Sequence, residues 1–531
     1  MAYITPNSRR ALSTTKAAVF IFFLSFFILV SSGRIGSANT NLQTVTSAPD
    51  LQTASGNAHD AHAKPWMRLP DGHYFQPHDM GAVLLVWPGT WLGARVEQSA
   101  LATMLPDPSI VARLAVSLTY IVVSAIGCLY LFLLFNEFYS DKQAFVVALA
   151  FAAGSLYLPY AKMIWDEAPC AAAMCALLFY TQALLRPAAG TRAFAAAGAA
   201  LALVCLLHHS IAPPLFVAML ILAVYTRGPL LRYLVLAGVF AAIVAPMWAF
   251  DVAYTRSMFR PFLELASFVH GAVTNSTAND AAGSVMHGDM LQGLGTLLFS
   301  ANRGLVVFSP IVLTSLFLPW TWPRLSSPQR ALLVAMLFGL SLYVGMVIRM
   351  QQWGAIGWGP RCLLPCLPIV FLMVGPCLLE IARRSNRTAT LIVIAAIGFN
   401  VAPTLIDWHA MASGYAGTQL QDANSPHVIE DIWSGFFKGM RGEPLGLAHS
   451  STALTQHDDA GRFPDVWTAQ MMKGSSAGRM AGWSILCMLL LGMTMMWGKI
   501  FAARRQRDGL TEATMRAIMQ QSETARRWDG R

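Results

Sequence analysis

The sequence predicts an all-α integral membrane protein, a polytopic bundle of about twelve transmembrane helices carrying extracytoplasmic loops. Three observations predict it. Of the 531 residues, 55% are hydrophobic and only 12% are charged, whereas soluble domains carry about twice that charge. Apolar runs long enough to span recur along the chain. Arginines gather in alternate loops, as they do when loops alternate between the two faces of a membrane.

The spans are placed near Ala17 to Ser31, Val111 to Phe135, Ala144 to Tyr160, Ala168 to Leu185, Ala193 to Leu207, Ile211 to Tyr225 and Leu231 to Phe250. The rest lie near Gly304 to Trp320, Ala331 to Ile348, Leu363 to Ile381, Ala389 to Ile406 and Ala481 to Phe501. With the start "SRRALSTTK" cytoplasmic, the loops on that side carry Arg186 and Arg192, Arg227 and Arg232, Arg324 and Arg330, then Arg383, Arg384 and Arg387. Arg504, Arg505 and Arg507 follow in the tail, so both termini are expected in the cytoplasm. The first span also has the basic start and small residues of a cleaved signal peptide. Its phenylalanine content and the charge alternation favour an anchor.

The expected organisation is a cytoplasmic N-terminus (1–16), a membrane domain (17–503) and a basic cytoplasmic tail (504–531). Long extracytoplasmic segments fall near 33–109, 253–303 and 407–479. The net charge of +10 is scattered through short loops and the tail, which suits topology better than nucleic-acid binding. All eight cysteines fall in or beside apolar runs and read as core residues; Cys362 and Cys366 have helical spacing without a His or Cys cluster to hold a metal. A Walker loop, a zinc-protease motif, a serine elbow and a nucleotide-binding glycine fingerprint are all absent from the sequence.

Chemistry on the outer side has few candidates. In "DGHYFQPHDMGAVLLVWPGTWLG" the residues Asp71, His73, His78 and Asp79 precede an apolar stretch that Pro88 and Gly89 interrupt. That stretch is expected at the membrane interface, anchored by Trp87 and Trp91. A carboxylate held partly out of water there suits proton acceptance, but on residues alone the reading of Asp71 as a turn and Asp79 as a helix cap is favoured. "YAKMIWDEAPC" sets Lys162, Asp166 and Glu167 at an outward turn, where the acids either serve the helix dipole or face a site. Arg303 in "FSANRGLVVFSPIV" and Arg361 in "QQWGAIGWGPRCLLPCLPIV" stand at the outer mouths of apolar helices. Such arginines either snorkel to headgroups or clamp a lipid-borne phosphate. His208, at the outer end of a span, reads as an amphipathic interfacial residue.

Four stretches in this order, "DGHYFQPHDMGAVLLVWPGTWLG", "YLPYAKMIWDEAPCAAAMCALLFY", "LLFSANRGLVVFSPIVL" and "WGAIGWGPRCLLPCLPIV", resemble the polytopic GT-C fold glycosyltransferases of the protein-mannosyltransferase and aminoarabinose-transferase-like superfamily. The resemblance covers most of the membrane region. It implies transfer of a sugar from a polyprenyl-phosphate carrier to a glycan, lipid or protein acceptor on the extracytoplasmic face of a bacterial inner membrane, with inversion. It further implies a loop carboxylate as base, basic residues on the leaving phosphate and in some members a divalent cation (Mg or Mn). Carried onto this chain, the catalytic set is Asp79, then Asp71, with Glu167 in support. The substrate-binding set is Arg361, Arg303, Lys162, His78, His73 and Trp358. One departure stands out: Asn39 and Asn41 occupy the region after the first span where the family usually has an acid, and asparagine cannot accept the proton. The competing classes are a lipid-linked glycan transporter or flippase, which favours mid-span charges and two similar halves, and an inactive relative of the family.

Overall fold

The computed structural model describes residues 6–31, 67–68, 74–75, 80–99, 109–162, 167–186, 189–226, 230–255, 290–301, 303–349, 358–406, 427–443, 463–473, 476 and 478–501. In chain order these residues form α1 (Pro6–Val30), the strands β1 (Met67–Arg68) and β2 (Tyr74–Phe75), α2 (Met80–Glu97), α3 (Ser109–Asn136), α4 (Asp141–Gly154), α5 (Tyr157–Ala161), α6 (Glu167–Leu184) and α7 (Thr191–Leu207). They continue with α8 (Ala212–Thr226), α9 (Leu230–Thr255), α10 (Met290–Phe299), α11 (Leu305–Phe308), α12 (Leu318–Thr321), α13 (Ser327–Arg349), α14 (Leu367–Arg384), α15 (Asn386–Leu405), α16 (His427–Met440) and α17 (Trp467–Lys473). A last helix, α18, spans Gly478–Phe501.

The chain is an all-α polytopic membrane bundle. All twelve apolar runs read from the sequence are helical over most of their length, and seven described helices are long and apolar enough to cross a membrane. The strands add a short antiparallel ladder, Met67 opposite Phe75 and Arg68 opposite Tyr74.

Two expected spans are broken, and the same contact explains both. The run Ala144 to Tyr160 divides after Gly154. Ser155 Oγ donates to Phe151 O at 2.6 Å and accepts from Tyr157 N, while Leu156 N donates to Ser309 Oγ at 2.8 Å. Ser309 itself interrupts the run Gly304 to Trp320, which proceeds as α11, a 3₁₀ segment Pro310–Phe317 and α12. Pro310 and Pro319 lack the N–H that a continuous helix needs. In an apolar setting a broken helix persists only where side chains satisfy the freed backbone groups, and both serines do so for the break after Gly154, Ser155 from within its own segment and Ser309 from the neighbouring one.

The stretch Ala82 to Gly93, expected to be helical at the interface but too interrupted for a clean span, lies within the helix α2, which is not among the seven described helices long and apolar enough to cross a membrane. Gly89 presses on the Val116 backbone of α3, where an added Cβ would sit 2.7 Å from Val116 N. Trp87 and Trp91 are exposed, as expected, and Arg95 lies over the Trp91 ring at 5.3 Å.

Close approach through small residues builds the core. A Cβ on Gly127 of α3 would meet Ala172 of α6, and one on Gly198 of α7 would lie 2.4 Å from the Leu236 carbonyl oxygen of α9. Between apolar helices in lipid the hydrophobic effect supplies little, so backbone proximity and van der Waals contact carry association. Aromatic rings fill the remaining space: Phe22 meets Phe145 edge-on at 5.0 Å, and Phe151 lies 4.5 Å from Tyr157. All eight cysteines are free thiols.

Gly198→Ala is therefore expected to destabilise the bundle by about 1–3 kcal/mol through overpacking against a backbone that cannot yield. Gly398→Ala, at an exposed helical position with open space around it, is expected to hold or raise stability by up to about 1 kcal/mol. Thermal unfolding in detergent compares the two.

Candidate functional site

Three helical starts converge at one end of the bundle. Glu167 opens α6 and is buried, 9% exposed; its Oε1 is 2.8 Å from Arg361 Nε. Arg361 opens the 3₁₀ turn Arg361–Cys366 that leads into α14. Its side chain remains 29% exposed. Glu167 lies where a helix dipole favours an anion, and it pairs with the Arg361 guanidinium.

The turn that delivers Arg361 is fixed from below. Gly359 has φ +77°, and an added Cβ there would lie 2.7 Å from the Phe308 ring, so any other residue is both strained and obstructed. This glycine packs on a ring of α11. Trp358 is wholly buried, edge-on to Phe308 at 4.8 Å and tilted on Phe399 at 5.9 Å. Its position is that of a core residue beneath the turn.

Arg303 stands just before α11, with its backbone N–H donating to Ser300 Oγ at 3.0 Å. Burial holds its guanidinium below the ordinary value, yet arginine is basic enough to stay charged. The Cys362 thiol lies within electrostatic range of Arg361, Glu167 and Arg303. Among the described residues, Arg303, Arg361 and Glu167 thus lie near the start of the turn. Behind it, Tyr343 donates to Cys362 O at 3.0 Å and shares a hydrogen bond with His208 Nε2, also at 3.0 Å. The end of α7 is in this way tied to the residue after Arg361. Gly81 of α2 packs on the Leu206–Leu207 backbone, immediately before His208.

Lys162 belongs to a different construction. It is 2% exposed, and its Nζ donates to Thr404 O at 2.8 Å, to Ile406 O at 2.7 Å and to Asp465 Oδ2 at 3.1 Å. Asp465, 1% exposed, also donates its backbone N–H to Leu405 O at 2.7 Å. Two residues further, Trp467 donates its indole N–H to Ile28 O and its backbone N–H to Ser31 O. Residues 463–473 thus close the ends of α15 and α1 by supplying donors to their last carbonyls.

The structure brings Arg361, Arg303 and Glu167 together, with Trp358 beneath them and Lys162 in the neighbouring buried pair. Asp71, His73, His78 and Asp79 lie outside the described residues, as do Asn39, Asn41 and Asp166. Tyr343 and His208 join the site, and Asp465 joins the buried pair beside it; the sequence did not single out Tyr343 or Asp465. Asp465 is 303 positions from Lys162 and nothing local marks it. His208 had a signal, a polar residue at a span end, without a partner. Among the described residues no group of three or more His, Cys, Asp or Glu is placed to hold a metal ion. With Glu167 paired to Arg361, the described donors at this mouth do not fit a divalent cation.

Two crystal structures of ArnT from Cupriavidus metallidurans are similar to this chain. The one bound to undecaprenyl phosphate has a TM-score of 0.47 at 13% identity, covering 93% of this chain and 76% of that one. The apo form has a TM-score of 0.47 at 12% identity, covering 94% and 76%. The sequence matches no family model and no curated protein.

Lys162→Met leaves the Asp465 carboxylate buried without its cation and is expected to cost about 3–5 kcal/mol of stability. Combining it with Asp465→Leu is expected to recover part of that loss, because a buried pair replaced on both sides leaves no stranded charge. A double-mutant cycle on thermal or denaturant unfolding measures the coupling.

Proposed function

We propose that this chain is a membrane glycosyltransferase that moves a sugar from a polyprenyl-phosphate carrier to an acceptor on the extracytoplasmic face of the membrane. The observation that carries this reading is the mouth formed by Arg361, Arg303 and Glu167 at the end of apolar helices. A guanidinium fork matches the oxygens of a phosphate whose lipid tail lies among those helices.

In this reading the acceptor hydroxyl loses its proton to a carboxylate as its oxygen attacks the anomeric carbon from the side opposite the phosphate. The sugar–phosphate C–O bond breaks, its electron pair stays on the phosphate oxygen, and configuration inverts. Arg361, aimed by Glu167, stabilises the charge growing on that phosphate, with Arg303 adding to the field. Asp79 is assigned as the base, with Asp71 next. Support for Asp79 comes from Gly81, two residues later, which packs beside the His208 end of α7, the element that Tyr343 links to the arginine turn. Asn39 and Asn41, lacking a proton-accepting carboxylate, leave this role to the segment before α2. The polar acceptor, whether glycan, lipid or protein, approaches from the extracytoplasmic side. The bacterial inner membrane is the setting proposed.

Transfer of radiolabelled sugar from synthetic polyprenyl-phosphate-sugars to membrane acceptors tests this. Arg361→Ala is expected to lower turnover by about 10²–10³-fold, the usual effect of removing one donor to a developing anion. Arg361→Lys is expected to restore only part of it. Asp79→Asn is expected to abolish transfer while leaving donor binding intact. Full activity in Asp79→Asn and Asp71→Asn alike would remove the base assignment. Absence of transfer by the wild-type chain with every donor, despite donor binding, would favour a lipid-glycan carrier.

A further inference from the structure

At the far end of the span that Arg361 opens, a second arginine cluster has no part in the proposed chemistry. The α-helical portion of that span, Leu367–Arg384, is about 27 Å long at 1.5 Å per residue. The cluster therefore lies about a hydrocarbon thickness from the Arg361–Glu167 mouth. Its centre is Glu380, 6% exposed, on the last turns of α14. Arg383 Nε and Arg384 Nε lie 3.2 and 3.0 Å from its two oxygens, and Arg324 Nη1, from the 3₁₀ turn Trp322–Arg324, pairs with it as well.

One buried carboxylate thus holds three guanidinia in fixed positions and leaves two positive charges unbalanced. The arginine side chains stay open to the surroundings: 47% exposed for Arg324, 64% for Arg383 and 53% for Arg384. Arg384 meets Glu380 through Nε alone. Arg330 adds charge nearby, its fork on the Leu325 and Pro323 carbonyls and its plane 5.9 Å from the Trp322 ring. Directly before this turn, Leu316, Phe317 and Trp320 are exposed at 68%, 39% and 58%. In a membrane protein such side chains face acyl chains, and tryptophan marks the headgroup level.

A positive cluster made of planar forks, continuous with an apolar surface, has the two halves of a lipid site. We propose that Arg324, Arg383 and Arg384, gathered by Glu380, bind the phosphodiester headgroup of an anionic phospholipid whose chains lie against Leu316, Phe317 and Trp320. Glu380 acts as the organiser: it sets the spacing of the forks and offsets part of their mutual repulsion. The neighbouring pair Arg186–Glu137 balances one charge with one and has no surplus for such a ligand.

The test is native mass spectrometry of the full chain, titrated with dioleoyl phosphatidylglycerol or dioleoyl phosphatidylcholine. The wild type is expected to retain phosphatidylglycerol preferentially. Arg383→Gln, at the most exposed of the three positions, is expected to weaken that retention about fivefold, and addition of Arg384→Gln about fivefold more. Arg186→Gln is expected to leave it unchanged. Thermal unfolding of each variant confirms that it is folded. Equal retention of the two lipids by the wild type, or undiminished phosphatidylglycerol retention in the folded Arg383→Gln/Arg384→Gln variant, would overturn the proposal. Displacement of the lipid by millimolar inorganic phosphate would overturn its assignment to a lipid headgroup.

Discussion

The ammonium group of Lys162 joins three parts of the chain that are far apart in sequence. It leaves the turn after α5, which precedes α6 and hence Glu167, and reaches the last carbonyls of α15 and the carboxylate of Asp465. A fully buried lysine is tolerated only when its charge is matched and its three protons are used, and here both conditions hold. Because Asp465 lies in the segment that also closes α1 through Trp467, one buried charge organises the end of the bundle where the arginine mouth forms. Removing water from this pair makes the arrangement sensitive to geometry: each partner is costly without the other.

The same requirement governs the broken helices. Ser155 and Ser309 sit where two apolar runs lose their backbone ladder, and each supplies hydrogen bonds that lipid would not. The consequence reaches the arginine mouth. By ending α4 early, the first break turns the chain through α5 toward Lys162 and Glu167. By fragmenting the run after Arg303, the second places Phe308 under Gly359 and Trp358, so that the turn carrying Arg361 rests on packed aromatic rings. An ion pair at the surface contributes little when both partners move; here Glu167 is buried and Arg361 leaves a constrained turn, so the guanidinium is held in place.

Arginine serves three distinct purposes in this chain, and the surroundings decide which. At Arg361 a buried carboxylate aims a single fork at the mouth. Around Glu380 one carboxylate gathers three forks and leaves a surplus. At Arg186 one acid answers one base on an open surface. Residue type alone does not separate the last two, since both read simply as cytoplasmic-loop arginines.

Apolar run length and composition, by themselves, determined that this is a helical membrane bundle and where its helices lie, because a backbone in lipid must satisfy its own polar groups and the helix does so locally. They also marked Arg303, Arg361, Glu167 and Lys162 as the charged residues beside those helices. Only the tertiary structure decided how those charges pair. Glu167 meets Arg361 across nearly two hundred residues, and Lys162 meets Asp465 across 303; helical periodicity carries no information at that range. Likewise the breaks at Ser155 and Ser309 fell inside runs that the sequence reads as unbroken spans, since whether a helix survives an interruption depends on what a neighbouring helix offers the freed groups. Local sequence set the elements, and long-range packing set which polar atoms face one another, because desolvated charges take their partners from whichever segments the fold brings within bonding distance.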